Sequence, residues 1–359
     1  MIPSLGFAAL APSAPLAPWR FERRTPGPRD VHIQILYCGM CHSDLHTVCG
    51  DWGPVTYPLV PGHEIVGRVV AAGADVTRWT AGDLVGVGCI IDSCRACPAC
   101  RDGLEQYCEQ GMTDTYGSTD RHSGQPTQGG YADTIVVDDR YVVRIPAGMD
   151  PAGAAPLLCA GSTTYSSLRH WKVGPGSRVG VVGIGGLGHV GVKLAAAMGA
   201  QVVVLTTSPD KVADARRLGA HDVVISSDPV AMARHKSSLD LILDTVSAAH
   251  DLRPLFALLR RDGALCLLGA SPEPHRFPNV SAFIAKRRTI AGSLISGIAE
   301  TQDMLDFCAA HGIVADIELI PASSINEAFA RMRTGDVTYR FVIDIRTLET
   351  AAPTTPDLT

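Results

Sequence analysis

Two rhythms of apolar and polar residues divide the chain. Between residues 31 and about 145 the apolar positions fall in short, β-branched runs, "VHIQILYC", "EIVGRVVAAG", "GDLVGVGCII", "YADTIVVDD" and "RYVVRIP", each bounded by turn formers. Runs of this length and composition predict the strands of an all-β lobe, a small distorted barrel. From about residue 178 the rhythm changes. The runs "SRVGVVG", "AQVVVLT", "HDVVISS", "LDLILDT" and "GALCLLG" alternate with the amphipathic stretches "GHVGVKLAAAMG", "PDKVADARRLG", "DPVAMARHK" and "AHDLRPLFALLRR". Nearly uniform apolar strands between helices predict a parallel sheet covered on both faces. Beyond it, "ETQDMLDFCAAHG", "IELIP", "SSINEAFARMRTG" and "TYRFVIDIR" add helix, strand, helix and strand, and the tail "TAAPTTPDLT" carries no pattern.

Composition narrows what such a chain does. Its 359 residues exceed what one core organises, so two domains are expected. With 46% hydrophobic and 19% charged residues it has the make-up of a soluble protein. No apolar run reaches the ~20 residues of a membrane span. The opening "MIPSLGFAALAPSAPLAPWRFERR" lacks a basic start, and prolines interrupt its alanine-rich patch, so a secretory signal fits poorly and a cytoplasmic location is expected. A net charge of -5 gives no electrostatic reason to approach nucleic acid or anionic lipid. The expected partner is a small molecule.

Eleven cysteines, an odd number, argue against a disulfide framework and towards metal or catalytic use. In "CRACPACRDGLEQYC", Cys94, Cys97, Cys100 and Cys108 follow C-x2-C-x2-C-x7-C, and Gly103 lets the loop reverse so that four sulfurs converge. The spacing predicts a closed, structural zinc site whose binding energy orders the lobe. An iron–sulfur cluster also takes four thiolates and would be distinguished by colour.

The first strand of the parallel sheet runs into "GIGGLGHVGVKLAAAMGA". Gly183, Gly185 and Gly188 form G-x-G-x-x-G: one glycine for the tight turn, one for backbone approach to a pyrophosphate, one for helix–sheet packing. With Gly186 and Leu187 they are expected to cradle a dinucleotide at a helix N-terminus. At the end of the second strand Thr206 stands where an NAD site carries an acid, followed by Thr207, Ser208 and Lys211. Hydroxyls and a lysine suit a 2′-phosphate, so NADP(H) is expected. Asp210 would oppose a phosphate if turned inward, but Ser208 as N-cap and Pro209 at the first helical position put it in a first turn, where an acid has a structural reason.

Potential ligands and acid–base groups gather elsewhere in "YCGMCHSDLH", "YPLVPGHEIVG" and "PLLCAG". With the nicotinamide motif, the four-cysteine lobe, "GQPTQGGYA", "ETQDMLDFC" and "YRFVIDI", they make residues 31 to 345 similar to the zinc-dependent medium-chain alcohol dehydrogenases, and within them to the cinnamyl alcohol dehydrogenase-like branch. The resemblance implies an α/β chain with a GroES-like β-rich catalytic domain, residues 1–159 and 293–359, around a Rossmann doubly wound parallel sheet, residues 160–292, with the cleft at their junction. It places a catalytic zinc on Cys41, His63 and Cys159, with a fourth position for water or substrate. Glu64 resembles a residue that swings onto the metal during ligand exchange, and Asp44 the carboxylate that fixes the ligand histidine's tautomer. Ser43 and His46 match a proton relay. His42 corresponds either to a residue facing the cofactor pyrophosphate or to a partly exposed loop histidine.

The chemistry implied is hydride transfer between NADP(H) and a substrate oxygen polarised by zinc, with aldehyde reduction as the cellular direction. Trp52, Cys89, Leu294 and Ile295 fall where the branch lines its substrate pocket and imply an apolar slot for aromatic or medium aliphatic aldehydes. Asp114, in "MTDTYGSTDRH", stands near a position where the plant enzymes often carry an aromatic residue, which implies broad specificity. Two other readings remain open. An NAD-dependent polyol dehydrogenase of the same superfamily would carry polar pocket residues, and a non-enzymatic redox-responsive nucleotide-binding protein would use Cys38, Cys49, Cys89, Cys266 and Cys308. The resemblance, with the apolar strand around "TIAGSLI", implies a homodimer.

Overall fold

The structure, a computed structural model, describes residues 1–351. It divides into two compact units, the first built from Met1–Cys159 and the chain from Gly297 onward, the second from Ala160–Ser296.

In the first unit a sheet of seven strands runs in the order Ile317–Pro321, Arg340–Asp344, Asp30–Gly39, Ile65–Ala72, Leu84–Val87, Val143–Arg144, with Thr134–Asp138 also paired to Asp30–Gly39. Only the first pair is parallel. The long strand Asp30–Gly39 is therefore the unit's spine. Val31, Ile33 and Ile35 alternate into the core, while its far end delivers Cys38, Gly39 and Met40 to the segment that carries Cys41.

Three local features depart from the pattern read along the sequence. Residues Ile2–Ala8 and Ala17–Arg23 pair as an antiparallel hairpin, in a region whose prolines obscure the strand signal. The run "GDLVGVGCII" breaks into Leu84–Val87 and Ile90–Asp92 at Gly88, where an added Cβ would crowd the Leu158 carbonyl at 2.9 Å. "RYVVRIP" gives a 3-10 turn, Asp139–Tyr141, and only a two-residue strand.

The second unit is a six-stranded, all-parallel sheet in the order Asp222–Ile225, Gln201–Thr206, Arg178–Val182, Leu239–Asp244, Leu259–Leu267, Thr289–Gly292. Counted along the chain this is 3-2-1-4-5-6, the doubly wound Rossmann order. Strand succession reverses between Arg178–Val182 and Leu239–Asp244, which opens a crevice at their carboxyl ends. One face of the sheet packs through Val203, Leu205, Ile242 and Leu265 against Leu255 and Phe256, all nearly inaccessible to solvent. Truncating Leu265 to alanine in such packing costs about 2–5 kcal/mol. Among the described residues no helix is long and apolar enough to cross a membrane.

Candidate active site and metal centres

Cys41 sits in extended backbone at the N-cap of helix His42–Cys49, directly after the spine strand. Asp44, in the helix's first turn and fully buried, organises the surroundings. One carboxylate oxygen accepts the Cys41 N–H at 2.8 Å and the Tyr131 hydroxyl at 3.0 Å. The other accepts the Gly62 N–H at 3.1 Å and faces His63 Nδ1 at 3.1 Å. Nδ1 of His63 therefore carries a proton towards Asp44, so that Nε2 is the nitrogen that can give up its own proton and turn a lone pair to a metal. Burial disfavours the charged imidazole, but the Asp44 carboxylate outweighs it and holds the His63 pKa well above its ordinary value.

Cys41, His63, Glu64 and Cys159 are all buried, and each offers a ligand atom within 4.8 Å of the other three. Their protonation is that of a cluster with one cation to gain. The Cys159 thiol donates to Cys41, which lowers the Cys41 pKa well below normal and raises that of Cys159. A divalent ion displaces such a shared proton when it binds. Glu64 supplies a second sign of fit. It forms a buried ion pair with Arg340 through one oxygen, while the other, Oε2, has no hydrogen-bond partner. The two sulfurs, the imidazole and the spare carboxylate oxygen make a donor set of the kind zinc takes.

Around this cluster the structure places the other residues read from the sequence as follows. The Cys41 thiol lies 3.5 Å from the Ser43 hydroxyl. His46, one turn further along the helix, faces the Asp51 carboxylate through Nδ1 at 2.8 Å and stacks on Trp52 with ring centroids 5.0 Å apart. Cys89 shares the Cys159 thiol proton with Cys41, which lowers the Cys89 pKa. Asp114 lies on a two-residue strand paired with Ile90, accepts from the Ser118 hydroxyl at 2.9 Å, and has its pKa raised by burial. His42 is not in the cluster: its Nε2 lies 3.2 Å from the Met332 carbonyl. Leu294 and Ile295 belong to the second unit, Leu294 44% exposed and Ile295 buried.

Sequence reasoning missed Arg340, Tyr131 and Tyr116. Arg340 had a legible signal, a lone cation at the head of the apolar run "RFVID" that is almost wholly buried. The tyrosines had none. Tyr116 packs its ring 5.8 Å from that of His63. Cys38, Cys266 and Cys308 are buried, and burial pushes the Cys266 thiol up to about 11, as for inert packing thiols.

The four-cysteine lobe is a different environment. Cys94, Cys97, Cys100 and Cys108 form the second group with ligand atoms within 4.8 Å of one another. Gly103 takes φ +72°, the left-handed turn that reverses the loop. Backbone amides aim at the sulfurs: Cys97 N–H and Ala96 N–H at Cys94 Sγ, 3.3 and 3.5 Å; Cys94 N–H at Cys108 Sγ, 3.3 Å; Glu109 N–H at Cys97 Sγ, 3.5 Å. Those from Ala96 and Cys97 bring the Cys94 thiol down to about 6. Amides pointed at sulfur stabilise thiolates, the form that binds metal. The lobe is fastened to the sheet by Arg95, which donates to the buried Asp138 carboxylate at 3.1 Å.

In the second unit Gly183 turns at φ +82°, and a side chain at Gly188 would overlap the Gly183 carbonyl. Gly185 is exposed, with nothing within 4 Å of where a Cβ would stand. Helix Gly188–Ala197 has no side-chain cap on its first amides. A bare glycine before a helix start that lacks a side-chain cap is the kind of backbone a phosphate can approach. Thr206 is buried and accepts the Ser208 N–H at 3.1 Å, and Lys211 Nζ donates to the Ile184 carbonyl at 3.3 Å beside the glycine turn. Ser208 occupies the N-cap position, but its side chain makes no capping bond, and a 3-10 turn, Pro209–Lys211, precedes the helix. Thr207 and Asp210 are exposed.

Comparison with known proteins bears on both units. Residues 27–147 match the alcohol dehydrogenase GroES-like domain, and residues 186–310 the zinc-binding dehydrogenase domain. An aldehyde reductase of Escherichia coli, YahK, is 59% identical over 341 residues, covering 95% of this chain and 97% of the relative. The NADP-dependent alcohol dehydrogenase C of Mycobacterium bovis is 52% identical over 342 residues, 95% and 98%. A cinnamyl alcohol dehydrogenase structure from Sorghum bicolor superposes with a TM-score of 0.93 at 44% identity, covering 96% of this chain and 98% of that one.

Proposed function

The chain belongs to the zinc-binding alcohol dehydrogenases with a GroES-like domain, and from that premise we propose an NADP(H)-dependent aldehyde reductase of broad aromatic and aliphatic specificity. It is an oxidoreductase that interconverts alcohols and aldehydes. The observation that carries the finer reading is the buried convergence of Cys41, His63 and Cys159 around an Asp44 that fixes the imidazole. We assign them a catalytic zinc and the four-cysteine lobe a structural one, two per chain. In this reading residues 1–159 with 293–359 form the catalytic domain and 160–292 the dinucleotide domain.

When bound, zinc supplies a Lewis acid for the substrate oxygen, and NADP(H) supplies or accepts the hydride. The chain's own residues do the rest. Cys41 and Cys159 would hold the ion through two thiolates and His63 through a neutral nitrogen, so that the ligands just balance its double charge without a third anion. Arg340 keeps Glu64 paired, and the free Glu64 oxygen stands ready as a transient ligand when substrate and product exchange. The Ser43 hydroxyl hands a proton to or from the substrate oxygen, and His46, held by Asp51 and Trp52, passes it to solvent. Gly183, Gly185, Gly186, Leu187 and Gly188 take the pyrophosphate, with His42 as a further candidate for facing it. Thr206, Thr207, Ser208 and Lys211 take the 2′-phosphate. Trp52, Cys89, Leu294 and Ile295 are assigned to the aldehyde's apolar body.

A homodimer is supported by the edge position of strand Thr289–Gly292 and by Phe277, Val280 and Ile284, exposed at 55, 71 and 76%. Eleven cysteines without a disulfide suit a reducing, cytoplasmic setting. The decisive test of the cofactor assignment is turnover of an aldehyde panel with NADPH and with NADH. A preference of about 10-fold or more for NADPH is expected, and equal or reversed rates would contradict it.

A further inference from the structure

The chain returns from the second unit to the first between Ser296 and Gly297, and the next element is helix Ile298–Ala310. Its N-cap is Gly297, which has no side chain to satisfy the first amides. The four-cysteine lobe supplies the missing acceptor: Glu105, between Cys100 and Cys108, takes the Ile298 N–H on Oε2 at 3.1 Å. A carboxylate there also opposes the positive end of the helix dipole. The fit is close, because a side chain at Gly297 would overlap the Gly103 carbonyl and crowd the Glu105 carboxylate. Immediately upstream, Ile295 is buried with φ +26°, a left-handed backbone that a β-branched residue adopts only when its surroundings enforce it.

We propose that Glu105 is a positioning residue, through which the four-cysteine lobe fixes the crossover and with it the turn Leu294–Ile295. The inference rests on the reading of those two residues as substrate contacts. It gives the lobe a role beyond stapling its own loop: the thiolate cluster shapes residues 97–108 so that one carboxylate caps a helix in the distant C-terminal part of the chain. The helix is secured again one turn on, where Gln302 exchanges hydrogen bonds with the Arg144 backbone at 2.7 and 3.2 Å.

The test compares E105A, E105Q and L294A in the full-length, zinc-loaded enzyme, by amide hydrogen exchange, zinc content and steady-state kinetics. E105A is expected to quicken exchange at Ile298 about 10-fold, the effect of a lost cap, with both zinc ions retained. Its KM for aldehyde is expected to rise about 5-fold with kcat within about 2-fold, while E105Q, which keeps an acceptor oxygen, stays near wild type. Unchanged exchange in E105A, an E105Q as impaired as E105A, or loss of the lobe's zinc in step with activity would each overturn the proposal. L294A separates the two readings. If L294A raises KM and E105A does not, the role of Glu105 fails; if neither does while exchange quickens, Leu294 and Ile295 leave the substrate site and the clamp on the crossover stands.

Discussion

The two cysteine clusters use the same sulfur chemistry in opposite surroundings. In the lobe, Cys94, Cys97 and Cys108 accept from backbone amides and the Cys100 thiol meets the Ser93 hydroxyl, Cys94 and Cys100 are partly exposed, and no carboxylate or imidazole joins the four sulfurs. At the other site two thiols and an imidazole are buried among Asp44, Glu64 and Arg340, so charge is balanced by side chains where water cannot help. In the proposed reading the first arrangement would close every position on a bound zinc with a cysteine, whereas the second would hold the ion with three donors while Glu64, the fourth, stays paired with Arg340. Neighbours, more than ligands, separate a staple from a reaction centre.

Ligand substitutions break the comparison most directly. C159A is expected to remove one zinc, leave the lobe's zinc in place and lower aldehyde turnover about 1000-fold or more, as loss of the main electrostatic stabiliser does. Metal analysis and kcat on the same preparation check both halves. C100A is expected to do the reverse: the buried cluster keeps its zinc, but thermal unfolding moves down by about 10 °C as the lobe loses its fastening. A C100A protein with unchanged unfolding temperature would deny the lobe its structural part.

The difference also explains what could be read from the chain. The lobe's four cysteines lie within residues 94–108, so their spacing alone pointed to the convergence of sulfurs that the fold shows. The doubly wound sheet was equally legible, since its strands are uniformly apolar and its glycine turn follows one directly. The buried cluster draws on residues 41, 63, 64 and 159, with Arg340 closing it from the C-terminal strand, and no local pattern joins positions so far apart. There, only the likeness of whole motifs to a known family pointed to Cys41, His63 and Cys159. Tyr131 was invisible because its hydroxyl donates to Asp44, a partner set by the folded sheet. The hairpin of Ile2–Ala8 with Ala17–Arg23 was hidden by Pro12, Pro15 and Pro18, which mask strand alternation.

Removing the carboxylates that hold His63 and Arg95 has smaller effects. D44N removes the charge that holds the His63 tautomer, and a loss of about 10- to 100-fold in zinc affinity or turnover is expected, with the lobe's zinc unaffected. D138N is the lobe's counterpart and the mildest. Burial raises the Asp138 pKa, but hydrogen bonds from Arg140 and the nearby Arg95 outweigh it and hold the carboxyl below its ordinary value. A depressed carboxylate contributes stability above its unfolded pKa and loses it as pH falls through the folded one. The unfolding temperatures of wild type and D138N should therefore differ by about 1–3 °C at neutral pH, a gap that closes only below about pH 4. A gap that widened on acidification would reverse the sign.

The most direct measurement is anomalous diffraction at the zinc edge from crystals of the enzyme with NADP(H) and an aldehyde analogue. The account predicts one peak among Cys41 Sγ, His63 Nε2 and Cys159 Sγ, with the analogue's oxygen as fourth neighbour and Glu64 still on Arg340, and a second peak amid the four lobe sulfurs. A catalytically competent crystal with no peak at the first position, or with Glu64 fixed on the metal while the analogue lies elsewhere, would contradict it.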